Sequence, residues 1–384
     1  MTFADLGVAP DLAAALAAQQ ITEPTAIQQA AWPVLIAGRS AYLTAETGTG
    51  KTLAYLLPLL SRIDPALTVP QVVIAAPTHE LAVQIQRLCA ELTRTAGLPV
   101  RSALLIGGTS VPRQLEKLKA KPHLVVGSPG RLRELIALRK LKMHAVASIV
   151  VEEADHVLAQ QSLADVQSTL QAAPRDRQLV FVSATVTPEC TAAIESFAPD
   201  VAMVATRANQ VNAAIEHLYL VCEQRDKPDI LRRLLHALGA ARAMVFVHRS
   251  ETAEVVAAKL GHHHVAVADL HSVRLKEDRR QAMANFRSGA VPVLIASDVA
   301  ARGLDIADIT HIINLDAPSA SLGYLHRVGR TARAGASGQA ITLFTAEEEA
   351  RLVKRFEHEL GISLQPVHLR EGQVRPTRRP TPDP

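Results

Sequence analysis

The feature of this 384-residue sequence that most constrains its fold is a repeated alternation of short apolar runs with longer stretches of helical apolar spacing. Short runs that are apolar throughout are typical of strands buried on both faces, as in parallel sheets. The runs lie at 72–76, 103–106, 124–126, 149–151 and 179–182, and again at 218–222, 244–247, 293–296, 312–315 and 340–344. The helix-compatible stretches include 79–94, 228–238, 252–260 and 275–286. This order predicts an α/β protein whose mostly parallel sheets are flanked by helices.

The alternation occurs in two series, which a polar segment near 206–212 separates. We therefore predict an N-terminal domain at 1–205, a linker at 206–212 and a C-terminal domain at 213–364, with sizes that are ordinary for α/β domains. The last segment, 365–384, is rich in arginine and proline and has no aromatic residue. Its composition predicts a basic, disordered tail.

Composition narrows the class of protein. A chain with 48% hydrophobic and 20% charged residues is globular, and its net charge of +4 does not by itself indicate a nucleic-acid-binding protein. The three cysteines, Cys89, Cys190 and Cys222, form no CxxC pair, which argues against a disulfide scaffold or zinc site and favours a reducing compartment. The chain shows no basic leader and no apolar run of about 18 residues, so we expect a cytoplasmic protein without a membrane span.

The strongest local signal is a glycine-rich loop between a strand-like run at 41–44 and an apolar helical stretch at 53–60. Its residues are Ala45, Glu46, Thr47, Gly48, Thr49, Gly50, Lys51 and Thr52. Glycines let backbone amides approach phosphate oxygens, and the N-terminus of the following helix favours anions. The pattern predicts a phosphate-binding loop in which Lys51 reaches the β- and γ-phosphates and Thr52 binds Mg²⁺.

Carboxylates follow the apolar run at 149–151. Glu152 and Glu153 end the run, and Asp155 lies two residues further along. Acidic clusters at strand ends are often solvated loops, so this signal is weak when taken alone. Beside a phosphate-binding loop, it indicates groups that bind Mg²⁺ and orient the attacking water.

Eight sequence motifs occur in a fixed order between about residues 3 and 345. They are EPTAIQ at 23–28, AETGTGKT at 45–52, PTHELA at 77–82, GG at 107–108 with SPGR at 128–131, EEAD at 152–155, SAT at 183–185, SDVAARGLD at 297–305 and HRVGRTAR at 326–333. Through these motifs the chain resembles the DEAD-box family of ATP-dependent RNA helicases. The resemblance implies two RecA-like domains that bind ATP, Mg²⁺ and single-stranded or partly duplex RNA.

The resemblance also implies roles for individual residues. The adenine is contacted by Phe3, which stacks on the ring, and by Gln28, and the ribose by Asp305 with Gly303 nearby. Thr52 and Glu152 hold the metal, Glu153 activates water, and Arg327 and Arg330 are arginine fingers. The implied RNA contacts are Pro77, Thr78, Gly108, Pro129, Gly130, Arg131, Arg279 and Ser297. The implied coupling residues are Asp155, Ser183 and Thr185.

Several positions depart from the family pattern. Glu152 stands where the family has Asp, which lengthens the carboxylate arm by one methylene, and His79 replaces an RNA-contacting arginine. The other departures are Gln20, Ile21, Ser272 and Lys276. Because Mg²⁺ demands near-ideal octahedral geometry, we expect the longer arm to affect the rate of ATP turnover. Because histidine carries no permanent charge at neutral pH, we expect His79 to affect the affinity for RNA.

These observations lead to one main function and two alternatives. The main prediction is a monomeric, RNA-stimulated ATPase that separates RNA strands locally or remodels ribonucleoproteins. One alternative is an ATP-gated RNA clamp with little turnover, and the other is a related DNA helicase. Measuring ATP hydrolysis with and without RNA separates the first two. Competition between RNA and DNA single strands tests the third.

Overall fold

The structure, a computed structural model, contains two compact units, Met1–Ala208 and Asn209–Pro384. It describes residues 1–46, 48–158, 162–206, 211–239, 242–270, 276–301, 304, 306, 308–332 and 336–377, except the side chains of 276, 277 and 299. The division between the units falls within the predicted linker at 206–212. The roles predicted for Thr47, Gly303 and Asp305 concern positions outside the described residues.

The first unit is built on a sheet of seven parallel strands. The strands are β1 (Ala41–Ala45), β2 (Val72–Ala75), β3 (Ser102–Leu105), β4 (Leu124–Gly127), β5 (Ser148–Glu152), β6 (Gln178–Ser183) and β7 (Ala202–Thr206). Their order in the sheet is β3-β4-β2-β5-β6-β1-β7. Both faces are covered, since Leu43 and Tyr42 of β1 are fully buried in apolar clusters on opposite sides. This explains why the strand runs are apolar throughout.

Nine helices of the described residues accompany this sheet. They are α1 (Pro10–Ala17), α2 (Ala26–Ile36), α3 (Lys51–Ser61), α4 (His79–Thr95), α5 (Val111–Lys119), α6 (Pro129–Ala137), α7 (Ala154–Val157), α8 (Leu163–Ala172) and α9 (Pro188–Phe197). Local sequence sets several of their starts. Thr25 and Gln28 form a capping box at the start of α2, and the Thr78 hydroxyl accepts a hydrogen bond from the Leu81 amide at the start of α4.

The second unit repeats the arrangement with eight strands. They are β8 (Ile215–Val221), β9 (Ala243–Phe246), β10 (Val267–Asp269), β11 (Val293–Ala296), β12 (His311–Asn314), β13 (Gly338–Phe344), β14 (Gln365–Arg370) and β15 (Gln373–Pro376). Their order is β10-β11-β9-β12-β13-β8-β14-β15, and only the β14–β15 pairing is antiparallel. Two mostly parallel sheets confirm the predicted fold class.

The helices of the second unit connect these strands. They are α10 (Lys227–Ala237), preceded by a 3₁₀ turn (Gln224–Asp226), α11 (Ser250–His262), α12 (Lys276–Arg287), α13 (Asp298–Ala301), α14 (Ser321–Val328) and α15 (Ala346–Leu360). The Lys227 ammonium is buried and lies 3.3 Å from a carboxylate oxygen of Glu348, which links the starts of α10 and α15.

The prediction of a disordered tail from residue 365 is wrong for residues 365–376, because these residues form the β14–β15 hairpin. The pairing of β14 with β8 adds the hairpin to the sheet, and Val367 packs into the apolar cluster beside α10. The sequence analysis missed this hairpin because its strands are mostly polar and are stabilised by a distant partner. It also missed β7 and β10. In the described residues, no helix is long and apolar enough to cross a membrane.

Candidate ATP site and RNA-binding edge

The strand order of the first unit separates the predicted ATP residues from the predicted RNA residues. The phosphate loop, Glu153 and the coupling residues follow β1, β5 and β6, which are neighbours in the sheet. The predicted RNA contacts follow β2, β3 and β4, which are also neighbours. Because the carboxyl ends of parallel strands meet at one edge, that edge of the sheet carries the two groups side by side.

Hydrogen bonds within the phosphate loop stabilise its conformation. The Lys51 ammonium donates to the backbone carbonyls of Ala45 (2.6 Å) and Glu46 (2.7 Å), and the Thr49 hydroxyl also donates to Glu46 O (2.7 Å). Gly50 has φ +86°, a left-handed conformation that favours glycine. Lys51 is the first residue of α3, so the ammonium, the loop amides and the helix N-terminus all lie where an anion would bind.

Gln28 connects the predicted adenine motif to this loop. Its amide nitrogen donates to Gly50 O (3.1 Å), and its amide oxygen accepts from the Thr25 amide (2.9 Å). A Cβ at Gly50 would collide with the Gln28 amide, so this contact requires glycine. Phe3 is 3% exposed and belongs to the apolar core. The stacking predicted for Phe3 would therefore require its ring to leave the core.

The two carboxylates after β5 lie in different environments. Glu152 ends the strand and is buried, whereas Glu153 is half-buried with φ +48°, a strained conformation for a residue with a side chain. Burial raises the pKa of Glu152 to about 7, and the Tyr55 hydroxyl and the Lys51 charge oppose this shift. The sharp turn at Glu153 thus divides a buried carboxyl from a more accessible one.

The oxygen donors around the loop fit a magnesium ion. The Tyr55 hydroxyl is buried beside Thr52 and Glu152, the two residues predicted to hold the metal. Within those residues, no group of three or more His, Cys, Asp or Glu side chains could hold a metal. Mg²⁺ usually binds one or two carboxylates together with substrate phosphates, so a sparse set of oxygen ligands at Thr52 and Glu152 fits an ion that arrives with ATP.

The predicted coupling residues form a half-buried contact between the segments that follow β5 and β6. The Thr185 hydroxyl donates a short hydrogen bond to the Asp155 carboxylate, and the Thr185 amide donates to the Ser183 hydroxyl (3.0 Å). The Tyr42 hydroxyl donates to Thr185 O (3.0 Å). Asp155, one residue into α7, is therefore tied to the segment after β6.

The predicted RNA segments lie against one another. Arg131 donates to Thr109 O (3.1 Å) and pairs with Glu134 (2.9 Å), and its side chain is 11% exposed. Arg131 therefore positions the loop that contains Gly108. His79 Nε2 lies so close to Gly107 that a Cβ there would be 3.3 Å away. Of the predicted backbone contacts, Gly108 is exposed, Pro77, Thr78 and Gly130 are half-buried, and Pro129 is buried.

Arg327, predicted as an arginine finger, is buried and already makes five contacts within the second unit. It is 1% exposed and contacts both Asp298 oxygens (2.6 and 2.7 Å), Asn314 Oδ1 (3.1 Å), Asp316 O (2.7 Å) and His248 Nε2 (2.8 Å). These contacts use all five guanidinium N–H donors when His248 Nε2 is the unprotonated ring nitrogen. The predicted role of Arg327 would require it to leave these contacts, which a motif does not reveal. Its partners Asp298, Asn314 and His248 were missed for the same reason.

The other predicted residues of the second unit are less buried. Arg330 is half-buried, donates to Leu304 O (3.0 Å), and lines a cavity of ≈ 90 Å³ with Asp298 and His326. Arg279 donates to Ala300 O (3.0 Å), and the Ser297 hydroxyl accepts from the Ala300 amide (3.2 Å). Both residues thus contact α13, which follows β11.

The sequence matches known families over most of its length. A model described as DEAD/DEAH box helicase matches residues 25–193, and a model described as helicase conserved C-terminal domain matches residues 226–335. The DEAD-box ATP-dependent RNA helicase CshC of Bacillus cereus is 41% identical over 94% of this chain and 92% of its own length. The chain belongs to the DEAD-box helicase family. The probable ATP-dependent RNA helicase YfmL of Bacillus subtilis is 40% identical to this DEAD-box protein, over 92% of this chain and 93% of its own length.

Solved structures agree with this DEAD-box assignment. S. cerevisiae Dbp5 bound to RNA and ADP BeF₃ has a TM-score of 0.87 at 28% identity and covers 95% of each chain. A DEAD box protein from Methanococcus jannaschii has a TM-score of 0.55 at 26% identity, over 96% of this chain and 99% of that one. The likeness confirms the predicted fold of two RecA-like domains.

Proposed function

We propose that this DEAD-box protein is an RNA-stimulated ATPase that uses ATP to separate short RNA duplexes or to remodel ribonucleoproteins. The observation that carries this proposal is the division of one sheet edge into an ATP half and an RNA half, with the Asp155–Thr185 contact at the ATP half. Its relatives support ATP-dependent RNA helicase activity, and they do not favour the alternative of an RNA clamp with little turnover.

In this proposal the residues of the first unit bind and orient ATP. Lys51 exchanges the carbonyls of Ala45 and Glu46 for phosphate oxygens, and the loop amides bind the same phosphates. Thr52 and Glu152 would hold Mg²⁺, which neutralises phosphate charge when it is bound. Glu153 orients the attacking water and accepts its proton.

RNA binding in this proposal is nearly independent of sequence. Exposed or half-buried backbone at Pro77, Gly108 and Gly130 suits contacts with phosphates and sugars, which carry no base information. The low content of aromatic residues, seven Phe, four Tyr and one Trp, agrees with a grip that depends little on base stacking.

We further propose that Arg330 stabilises the charge that develops on the γ-phosphate. A positioned arginine of this kind contributes roughly 10³–10⁵-fold in rate, because it neutralises charge in the transition state. We expect RNA to stimulate ATP hydrolysis by the parent protein, and Arg330→Ala to lose that stimulation while it still binds ATP.

The test is steady-state ATP hydrolysis with and without RNA, together with binding of a fluorescent ATP analogue. RNA-independent hydrolysis by the parent protein would contradict the proposed function. If Arg330→Ala hydrolyses ATP as fast as the parent when RNA is present, only the proposed role of Arg330 is contradicted.

A further inference from the structure

A groove of ≈ 360 Å³ lies at the edge of the first sheet opposite the phosphate loop. It is formed where β6, β1 and β7, three neighbouring strands, begin. Ser40 joins these strands, since its hydroxyl accepts from the Leu179 amide (3.0 Å) and its carbonyl from the Ala202 amide (2.9 Å). The five residues of β1 separate the groove from the phosphate loop, a distance of roughly 17 Å at about 3.3 Å per residue.

Three arginines line this groove, namely Arg39, Arg175 and Arg177, against one carboxylate, Asp200. Arg39 and Arg175 are exposed, and their guanidinium groups make no hydrogen bond or ion pair with any residue that the structure describes. The same holds for the carboxylate of Asp200, which is also exposed. The groove therefore has an excess of two positive charges and two guanidinium groups that are free to bind a ligand.

A purely structural explanation accounts for one of the three arginines. Helices α2, α8 and α9 end near the groove, and arginines near helix C-termini can bind the last carbonyls. Arg177 does bind backbone, since it donates to Pro174 O (3.2 Å) and Arg175 O (3.3 Å), but its Nε is buried without a partner among the described residues. The guanidinium groups of Arg39 and Arg175 make no such contact with the residues that the structure describes.

The apolar lining distinguishes between possible anions. Phe197 is half-buried and Leu179 is buried, and with Pro199 they line the groove beside the arginines. A basic groove with an aromatic ring is the arrangement that binds single-stranded nucleic acid, because guanidinium groups bind phosphates and the ring stacks on a base. A free phosphate would use the arginines but not the ring.

We infer that this groove is a second RNA-binding site, which holds the sugar–phosphate backbone of RNA that extends beyond the motif-bearing edge of the first unit. The inference rests on the proposed RNA-dependent function. RNA long enough to reach both edges gains contacts with Arg39 and Arg175, whereas short RNA occupies the motif-bearing edge alone. The groove therefore raises affinity for long RNA and has no part in ATP hydrolysis.

The test compares the parent with the double variant Arg39→Gln/Arg175→Gln in the full-length protein. Binding is measured by fluorescence anisotropy with a nonhydrolysable ATP analogue, on a short RNA of roughly 5 nucleotides and a long RNA of roughly 40. We expect about tenfold weaker binding of the long RNA and a salt dependence whose log–log slope falls by about 1.4, since each single-strand phosphate contact contributes about 0.7. Short-RNA affinity, and ATPase activity saturated with short RNA, should match the parent.

The control is Arg87→Gln/Arg94→Gln, which removes the same charge from two exposed positions of α4. Unchanged long-RNA affinity in the groove variant, or an equal loss in this control, would overturn the inference. An equal loss for short and long RNA would also overturn it.

A second measurement tests whether the groove binds a free phosphate ion instead of RNA. Inorganic phosphate is added at matched ionic strength, and the thermal stability of the parent and of the groove variant is compared. If phosphate stabilises the parent but not the groove variant, and the variant still binds long RNA like the parent, then the groove is a small-anion site and the inference is overturned. Absence of RNA stimulation in the parent would instead contradict the proposed function.

Discussion

Lys51 of the first unit and Arg327 of the second are both basic residues of sequence motifs, but they have different surroundings. Lys51 is half-buried and donates to two carbonyls of its own loop, which compete weakly with a phosphate. Arg327 is buried, pairs with the Asp298 carboxylate, and its guanidinium lies 4.9 Å from the centroid of the Phe246 ring. Lys51 can exchange its partners for a ligand at little cost, whereas Arg327 would have to leave several strong contacts. The comparison shows that a motif identifies a basic residue without revealing whether it binds substrate or holds the fold.

The largest effect should follow from removal of Lys51. In Lys51→Ala the phosphates lose a charged donor that is positioned by α3, so ATP hydrolysis should fall by at least roughly 10²–10³-fold. The free energy of unfolding should stay near that of the parent, because the hydrogen bonds that the half-buried Lys51 side chain donates to Ala45 and Glu46 lie within its own loop and not in the core. ATPase assays and urea unfolding measure the two quantities. Parent-like hydrolysis would remove the phosphate-loop assignment.

Arg327→Ala should show the opposite pattern, a loss of stability. The substitution removes the hydrogen bonds that Arg327 donates to Asp298, Asn314 and Asp316 O, and the loss of hydrogen bonds from a charged donor costs roughly 1.5–3 kcal/mol. Urea unfolding should show this loss in the second unit. Arg330→Ala is the matched control, since its half-buried side chain should affect RNA-stimulated hydrolysis with little effect on stability. If Arg327→Ala unfolds like the parent but no longer hydrolyses ATP, Arg327 acts on substrate after all.

The two units should also respond differently to acid. Burial lowers the pKa of His217 to about 4, and its Nδ1 lies 2.8 Å from the Tyr324 hydroxyl. An unfolded histidine has a pKa near 6.5, so between about pH 6.5 and 4 the unfolded chain binds a proton that the folded chain excludes. The contribution of His217 to the free energy of unfolding is therefore fully present above about pH 6.5. It is lost as the pH drops towards 4, by roughly 3 kcal/mol in total. For Glu152 the raised pKa gives the opposite sign, with stability lost as the pH rises towards 7.

Urea unfolding between pH 7 and pH 4 measures the contribution of His217. The control is His217→Gln, which keeps a polar side chain but cannot bind a proton in this range. The stability of the parent should fall more steeply with acid than that of the variant. Parallel curves for the two proteins would show that His217 does not couple to folding.

The smallest effect should come from Glu152→Asp. The substitution restores the shorter arm that the family has and keeps the charge, so we expect a few-fold faster RNA-stimulated hydrolysis if the longer arm displaces Mg²⁺. Titration of Mg²⁺ at fixed ATP should show tighter apparent binding in the variant. Equal rates and equal Mg²⁺ dependence would mean that the buried pocket beside Tyr55 already places Glu152 correctly.

The sequence by itself determined the fold class, and the division between the two compact units lies inside the segment 206–212 that it indicated as a linker. Strands buried on both faces must be apolar throughout, so runs such as 72–76 and 293–296 predicted β2 and β11. The phosphate loop could be predicted because its chemistry depends on residues that are adjacent in the chain, from Gly48 to Thr52. Information of this kind is local, so it can be read from a short stretch of sequence.

Tertiary structure alone decided what depends on distant partners. The five contacts of Arg327 come from residues 11 to 79 positions away. The hairpin at 365–376 is built from polar residues and depends on pairing with β8, which lies more than a hundred residues earlier. The arginines of the groove come from separate loops that only the strand order β6-β1-β7 brings together. Long-range contacts of this kind are set by packing of the whole chain, so neither periodicity nor motif spacing could reveal them.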